Sequence, residues 1–379
     1  VIERSQAVRD AVAVELETIV DLTETITQIP APTFEEAARA TFVRERFIAA
    51  GMQPWDDDAG NVYARIPGSG GGTILLSAHL DTVFPAGTDL QVRRAEGRME
   101  APGVGDNSLS VATLLQIPPL LARAGIQTAA DVLLCANTGE EGLGDLRGIR
   151  AAIDGHGHEL VAAIALEGHG LGRIVNRAVG SRRLRVTVEG PGGHSWGAFG
   201  RPSAIHELAE IISRITRLPV SDSPKTTFNV GLVEGGISVN TIAPTASFTL
   251  DLRSEQPSAL AALAEQVDHI LSEADAPACE VRVRSEVLGE RPAGAIDDDA
   301  SIVHIAMQVL QALEIEPYLA ASSTDANIPI AAGIPAISIG LTTGGNAHRE
   351  SEYIDLEPLA AGVEQLVLLV QHLDMGEIR

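Results

Sequence analysis

The sequence predicts an α/β fold: a mostly parallel sheet, interrupted by a smaller inserted α+β domain of ferredoxin-like order. Three observations predict it. Helix-like and strand-like segments alternate through the first half of the chain, the order that builds parallel sheets. Two of the strand-like runs, DVLLCAN and LVAAIALE, are apolar throughout, as strands covered on both faces are. Near Gly180 the pattern changes to strands of alternating polarity in β-α-β-β-α-β order, and near Ala295 the first pattern resumes. A chain of 379 residues also exceeds the roughly 250–300 that one core serves. We therefore expect a discontinuous domain from residues 1–179 and 291–379, with residues 180–290 inserted in it.

Each element follows from local pattern. Residues from about Arg9 to Gln28 have helical spacing, and IPAP ends that helix because proline lacks an amide donor. Thr33 and Glu36 have the spacing of a capping box, which predicts a helix reaching about Ala50. NVYARI and TILLSAHL read as strands joined through GSGGG. That glycine run lacks the Lys-Ser/Thr of a phosphate loop, so a hairpin turn is expected. A helix from about Leu109 to Ala124 contains Pro118 and Pro119, which should bend or end it. In the inserted domain, RRLRVTVEG, TTFNVGLVEG, ASFTLDLRS and CEVRVRSEV are the strands. Helices from about Pro202 to Arg217 and Ser258 to Ala274 separate them. After Ala295 come an amphipathic helix, the strand PAISIGL and a last helix from about Leu356.

Composition excludes several functions. The net charge of −24 repels nucleic acid and anionic membranes, which basic patches would have to bind. Aromatic residues at 3% argue against platforms for stacked bases. Lys225 is the only lysine, which all but closes off Schiff-base chemistry. Cys135 and Cys279 make neither a disulfide framework nor a thiolate zinc site. VIERSQAVRD has no apolar stretch of signal-peptide kind, and no apolar run reaches the ~20 residues of a membrane span. A soluble cytoplasmic enzyme is the expectation.

The residues suited to chemistry sit at strand ends and in glycine-broken loops. Zinc takes imidazole and carboxylate ligands. His79 and Asp81 close TILLSAHLDT, two positions apart and so on one face, with Asp81 placed to orient the His79 ring. Asp106 stands in APGVGDNS. Glu140 and Glu141 follow DVLLCANTG, and two adjacent carboxylates repel unless a cation or proton lies between them. Glu167 ends VAAIALE, and His348 lies in TTGGNAHRE after PAISIGL. Five ligand-type residues at strand ends match the crevice where α/β sheets bind ligands. Ser195 offers a serine-hydrolase alternative, but no G-x-S-x-G elbow surrounds it.

In order and spacing, HLDTV, GVGDNS, TGEEG, LEG, GGHS and GGNAH resemble the metallopeptidase family of aminoacylase, succinyl-diaminopimelate desuccinylase, carboxypeptidase G and peptidase T. The resemblance covers nearly the whole chain. It implies a zinc-peptidase-like catalytic domain and an inserted domain acting as lid and dimerisation surface. It implies two divalent ions, zinc first, with manganese or cobalt as alternatives. His79 and Glu167 would hold one, Glu141 and His348 the other, and Asp106 would bridge them. Glu140 would be the general base, and the Asp106–Asn107 peptide bond would be cis. His194 would donate to the scissile carbonyl oxygen, often from the partner subunit of a homodimer. Arg253 and Asn240 would bind the substrate's carboxylate, and Ser323, Thr324, Asp325 and Asn327 would line the pocket. The substrate expected is an N-acyl amino acid or short peptide with a free carboxylate. Glu167 favours deacylases and carboxypeptidases, whereas STDAN and GGNAH favour a peptidase-T-like aminopeptidase. A non-peptide amide or arylamine stays open.

Overall fold

The computed structural model describes residue 2, residues 4–275 and residues 280–374. Cys279 lies outside the described residues. The chain divides into two compact units, Val1–Ala178 with Ala295–Arg379, and Val179–Gly294.

The first unit is built on a mostly parallel sheet. Its main strands are β1 (Val62–Ile66), β2 (Thr73–His79), β3 (Asp131–Asn137), β4 (Leu160–His169), β5 (Arg173–Ala178), β12 (Tyr318–Ser322) and β13 (Ala336–Thr342). Across the sheet the order is β1, β3, β2, β4, β13, β5, with β12 beside β5. β3, β2, β4 and β13 are mutually parallel, while β1 is antiparallel to β3 and β5 to β13. Ile74, Leu76 and Ala78 of β2 join the core under one face and Leu75 the core under the other. Burial on both faces is why these strands read as unbroken apolar runs. Helices α1 (Gln6–Thr27), α3 (Leu109–Ala124), α7 (Ser301–Ala312) and α8 (Leu359–Asp374) cover the first face. Helix α4 (Arg147–His156) covers the second.

Two local expectations are corrected and a third, that Pro118 and Pro119 bend or end their helix, is narrowed. β1 and β2 do not form a hairpin: β3 lies between them, and the glycine-rich link crosses its end, with the Gly70 amide donating to the Ala129 carbonyl. Helix α3 is not ended by Pro118 and Pro119. Its buried residues hold it against the sheet, and packing outweighs the lost backbone bonds. The capping box does not form: α2 (Ala37–Ala49) starts at Glu36 with no side-chain cap. The Thr33 hydroxyl donates instead to Asp81 Oδ2, 2.9 Å away.

The second unit has four antiparallel strands, β6 (Gly180–Glu189), β8 (Thr226–Gly235), β10 (Thr245–Ser254) and β11 (Arg282–Arg291). Their order is β8, β10, β6, β11, the ferredoxin-like arrangement. Helices α5 (Ala204–Ile215) and α6 (Pro257–Ala274) share one core with this sheet: Leu208, Ile211, Leu263 and Val267 pack with Val186, Phe248 and Leu250. A two-stranded ribbon joins β7 (Gly193–His194) to β9 (Thr241–Ile242). Among the described residues no helix is long and apolar enough to cross a membrane.

Candidate metal centre

Four parallel strands bring their carboxyl ends to one edge of the first unit. His79 ends β2 and pairs in register with Asn137, the last residue of β3. Glu140 and Glu141 follow β3 at once. Glu167 stands in β4 opposite Gly340 of β13. Asp106 enters from the loop before α3, and its peptide bond to Asn107 is cis, as the resemblance implied. His348 enters from the loop after β13, in a left-handed backbone conformation (φ 64°).

These side chains converge. Ligand atoms of His79, Asp106 and Glu141 lie within 4.8 Å of one another. His79 Nε2 is 3.1 Å from Asp106 Oδ1, and His348 Nε2 is 3.0 Å from Asp106 Oδ2. His348 Nε2 also lies 3.1 Å from Glu141 Oε1. Asp106 therefore touches both imidazoles, one through each oxygen. Glu140 and Glu167 join through their charges: Glu140 acts on His79, and Glu167 feels Asp106 and His79.

Protonation shows how crowded the site is. Burial works against charge on His79, but the Asp106 and Asp81 carboxylates outweigh it and hold its pKa well above the usual imidazole value. Hydrogen bonds to Asp106 and Glu141 hold His348 up to about 11. Burial opposes charge on Asp106 too, yet the two imidazoles keep its carboxyl well below the carboxylate range. Burial, then the neighbouring Asp106 charge, pushes Glu167 up to about 8. Imidazoles held protonated by carboxylates, with Glu167 itself raised, mark a cluster short of positive charge.

A divalent metal fits this donor set. Imidazole and carboxylate are ligands zinc accepts, as are manganese and cobalt. Donor atoms 3.0–3.1 Å apart also have the spacing of neighbours around an ion with bonds of about 2.0–2.2 Å.

Around these groups lies a shell of which the sequence pointed to Asp81 and Asp325 but not to the roles of Glu36 and Glu352. His79 Nδ1 is 3.0 Å from the Asp81 backbone carbonyl and 3.5 Å from its carboxylate. The Asp81 carboxylate also accepts the amides of Glu140 and Glu141, both at 2.9 Å, and the Thr33 hydroxyl. Glu36 accepts the Gly139 amide at 3.1 Å and pairs with Arg147. Fully buried Glu352 accepts the amides of Gly103, Gly105 and Asp106 at 2.8–2.9 Å. Asn137 donates to Asp325, which acts on Glu167. For Glu352 the available signal was HRESE, which sets it four positions after His348.

His194, Asn240 and Arg253 belong to the second unit. His194 and Asn240 meet on the β7–β9 ribbon, where the Ser195 amide donates to the Asn240 carbonyl at 3.0 Å. His194 Nδ1 accepts the Trp196 amide at 3.2 Å, which leaves Nε2 to carry the proton of a neutral ring. Arg253 is not with them. It lies near the end of β10, bonded to Asp251 at 2.7 Å, while β9 leads into the start of that strand.

A sequence profile of Peptidase family M20/M25/M40 matches residues 75–372. Acetylornithine deacetylase of Myxococcus xanthus is 28% identical over 367 residues, spanning 87% of this chain and 90% of that protein. The crystal structure of aminopeptidase PepT from Bacillus cereus superposes with a TM-score of 0.78 at 23% identity, covering 94% of this chain and 98% of that one. The YxeP protein of Bacillus subtilis, a dinuclear metal-binding peptidase, superposes with a TM-score of 0.70 at 16% identity, covering 96% and 99%.

Proposed function

The chain belongs to peptidase family M20/M25/M40, and from that premise we propose a di-metal amidohydrolase cleaving N-acyl amino acids or short peptides with a free carboxylate. It is a hydrolase of amide or peptide bonds; substrate, metal count and residue roles are the proposal. The observation that carries it is the convergence of His79, Asp106 and Glu141 within 4.8 Å at the strand ends, with His348 against two of them.

His79 and Glu167 would hold one ion, Glu141 and His348 the other, and Asp106 both. Supporting that division, Asp106 offers one oxygen to each imidazole. When bound, such a pair lowers the pKa of a water toward about 7 and polarises the amide carbonyl. Glu140 takes the proton of the attacking water and hands it to the departing amine nitrogen. His194, its Nδ1 occupied by a backbone amide, donates through Nε2 to the carbonyl oxygen as that oxygen gains charge. Arg253 and Asn240 bind the substrate's carboxylate, Arg253 as a fork.

A homodimer through the second unit completes the reading. His194 and Asn240 lie beyond the start of β10, whereas Arg253 lies near its end, so the eight strand residues Thr245–Leu252 separate them. At about 3.3 Å per residue that is roughly 26 Å, too far for one small substrate to touch both ends of a single copy. Two copies would let His194 and Asn240 of one serve the site of the other. Leu232 and Val233 on edge strand β8, with Ile237 and Val239 after it, are exposed apolar residues that a partner would cover.

The testing experiment is a hydrolysis screen of N-acyl amino acids, dipeptides and tripeptides with added zinc, manganese or cobalt. Chelator-sensitive release of a carboxylate-bearing amine is expected. Cleavage confined to peptides with a free amino terminus would favour the aminopeptidase reading instead, which STDAN and GGNAH support.

A further inference from the structure

We propose that Glu36, backed by Arg147, is a positioning residue for the loop that carries Glu140 and Glu141; the inference rests on the roles proposed for those two. Three consecutive amides of this loop are held from outside. Gly139 donates to Glu36 Oε1 at 3.1 Å, and Glu140 and Glu141 donate to the two Asp81 oxygens, both at 2.9 Å. Both carboxylates depend on one short segment. Glu36 belongs to it, and its Thr33 hydroxyl anchors Asp81 at 2.9 Å. The segment therefore grips the loop at three successive peptide units.

The cost of this arrangement marks it as more than a helix start. Glu36 occupies the position before α2 where a side chain could cap the helix, yet makes no capping bond. Its carboxylate is buried and turned to the loop. The Arg147 Nη2 atom, 2.7 Å from both oxygens, balances the buried charge. The Phe34 ring lies 4.9 Å from that guanidinium, and the Phe34 amide donates to Glu36 Oε1 at 3.0 Å. On the loop side, Gly139 has φ 65°, and a Cβ there would meet the Arg147 side chain at 2.7 Å. Gly139, Glu36 and Arg147 thus fit as one close-packed unit. A general base must stand within about 2.6–3.2 Å of the proton it takes. Loosening this grip lets Glu140 and Glu141 drift out of that range, and a shift near 1 Å costs about 10²-fold in rate.

The test uses the full chain with Glu36→Ala, Glu36→Gln and Arg147→Met. In Glu36→Ala, amide exchange over residues 138–142 should quicken by about tenfold or more, with exchange in α1 and α7 unchanged. Its kcat should fall by about tenfold or more while KM stays within about threefold. Glu36→Gln keeps an oxygen for the Gly139 amide and should fall between parent and alanine; with Arg147→Met it carries the test should alanine not fold. Exchange at 138–142 within about twofold of the parent overturns the proposal. So does exchange raised equally throughout the chain, or kcat within about twofold of the parent in Glu36→Ala. Should the parent hydrolyse no amide, the hydrolase reading fails by itself, and Co²⁺ affinity through Glu141 replaces kcat: about tenfold weaker binding supports the positioning role, and unchanged binding overturns it.

Discussion

His169 Nε2 lies 3.0 Å from Oε1 of Glu352, joining two residues 183 positions apart behind the Asp106 loop. The same Glu352 carboxylate accepts three amides of that loop, so one buried side chain holds the backbone from Gly103 to Asp106. A Cβ on Gly105 would run into the His169 ring at 2.2 Å, which shows how closely the loop is seated. Glu352→Ala strands three buried donors and the imidazole. We expect a loss of about 3–5 kcal/mol in urea unfolding, since each amide left without its charged acceptor costs about 1–3 kcal/mol and the losses add only in part. A loss below about 1 kcal/mol would mean that water or a rearranged loop replaces Glu352.

Metal binding should release protons. His348 is held up to about 11 and His79 well above its ordinary value, so both carry protons at neutral pH without metal. Raised imidazole pKa values stabilise the metal-free fold fully below the unfolded value of about 6.5, and for His348 that contribution fades as pH rises through about 11. A metal needs both rings neutral. Glu167, held up to about 8, is also mostly protonated at pH 7.5. Titration calorimetry at that pH in buffers of different ionisation enthalpy should therefore report roughly two to three protons released at saturation, with apparent affinity weakening as pH falls. Zero release would place the two imidazoles outside the ligand set.

Glu140→Gln should retain metal and lose turnover. The amide preserves size but accepts no proton, and a lost general base removes roughly 10²–10⁴-fold in kcat. Metal content by elemental analysis beside steady-state rates checks both halves. Near-parental turnover would remove Glu140 from the proposed mechanism.

Acid stability should depend on Arg65. Its guanidinium pairs with Glu159 at 2.6 Å and Asp131 at 2.8 Å, and the hydrogen bond from Arg65 pulls Glu159 down to about 2. A lowered carboxyl pKa gives stability that is present above the unfolded value of about 4.5 and lost as pH falls through about 2. Arg65→Met should cost about 1–2 kcal/mol at pH 7, since these groups are only partly buried. Chemical denaturation from pH 7 to pH 2 should show the gap between parent and variant closing toward the acid end. A constant gap would assign the cost to lost packing.

Mixing subunits tests the dimer. Glu140→Gln and His194→Ala should each be inactive alone. If His194 serves its neighbour, a mixed dimer has one site with both defects and one with neither. Recovered activity after subunit exchange is expected, with light scattering showing twice the 39.7 kDa chain mass. A lone chain-sized species with full activity would end the dimer proposal.

The convergence of His79, Asp106, Glu141 and His348 was legible because strand-end position and residue chemistry are local facts. His79, Glu141 and Glu167 each close or follow an apolar run whose burial is written in the run itself. The grip on them was not legible. Thr33 and Glu36 have the spacing of a local cap, yet their partners lie 48 and 103 positions away, and the spacing could not disclose that competition. GSGGG failed as a hairpin for a related reason: a turn motif says the chain bends, not which strand enters between its arms. Glu352 carries no strand-end signature at all, and only tertiary packing gives it three amides to accept.

The second unit interrupts the first between Glu141 and His348, which meet in the folded protein although 207 positions separate them. On a ribosome adding roughly 5–20 residues per second, His348 is made about 10–40 s after Glu141. Throughout that interval the nascent chain holds Asp106 and Glu141 without the imidazole that joins them. A chain cut short anywhere in the second unit would never acquire it. On the roles proposed above, His79, Asp106, Glu141 and Glu167 all precede the second unit, so a truncated product would lack only His348, the imidazole assigned to the second ion.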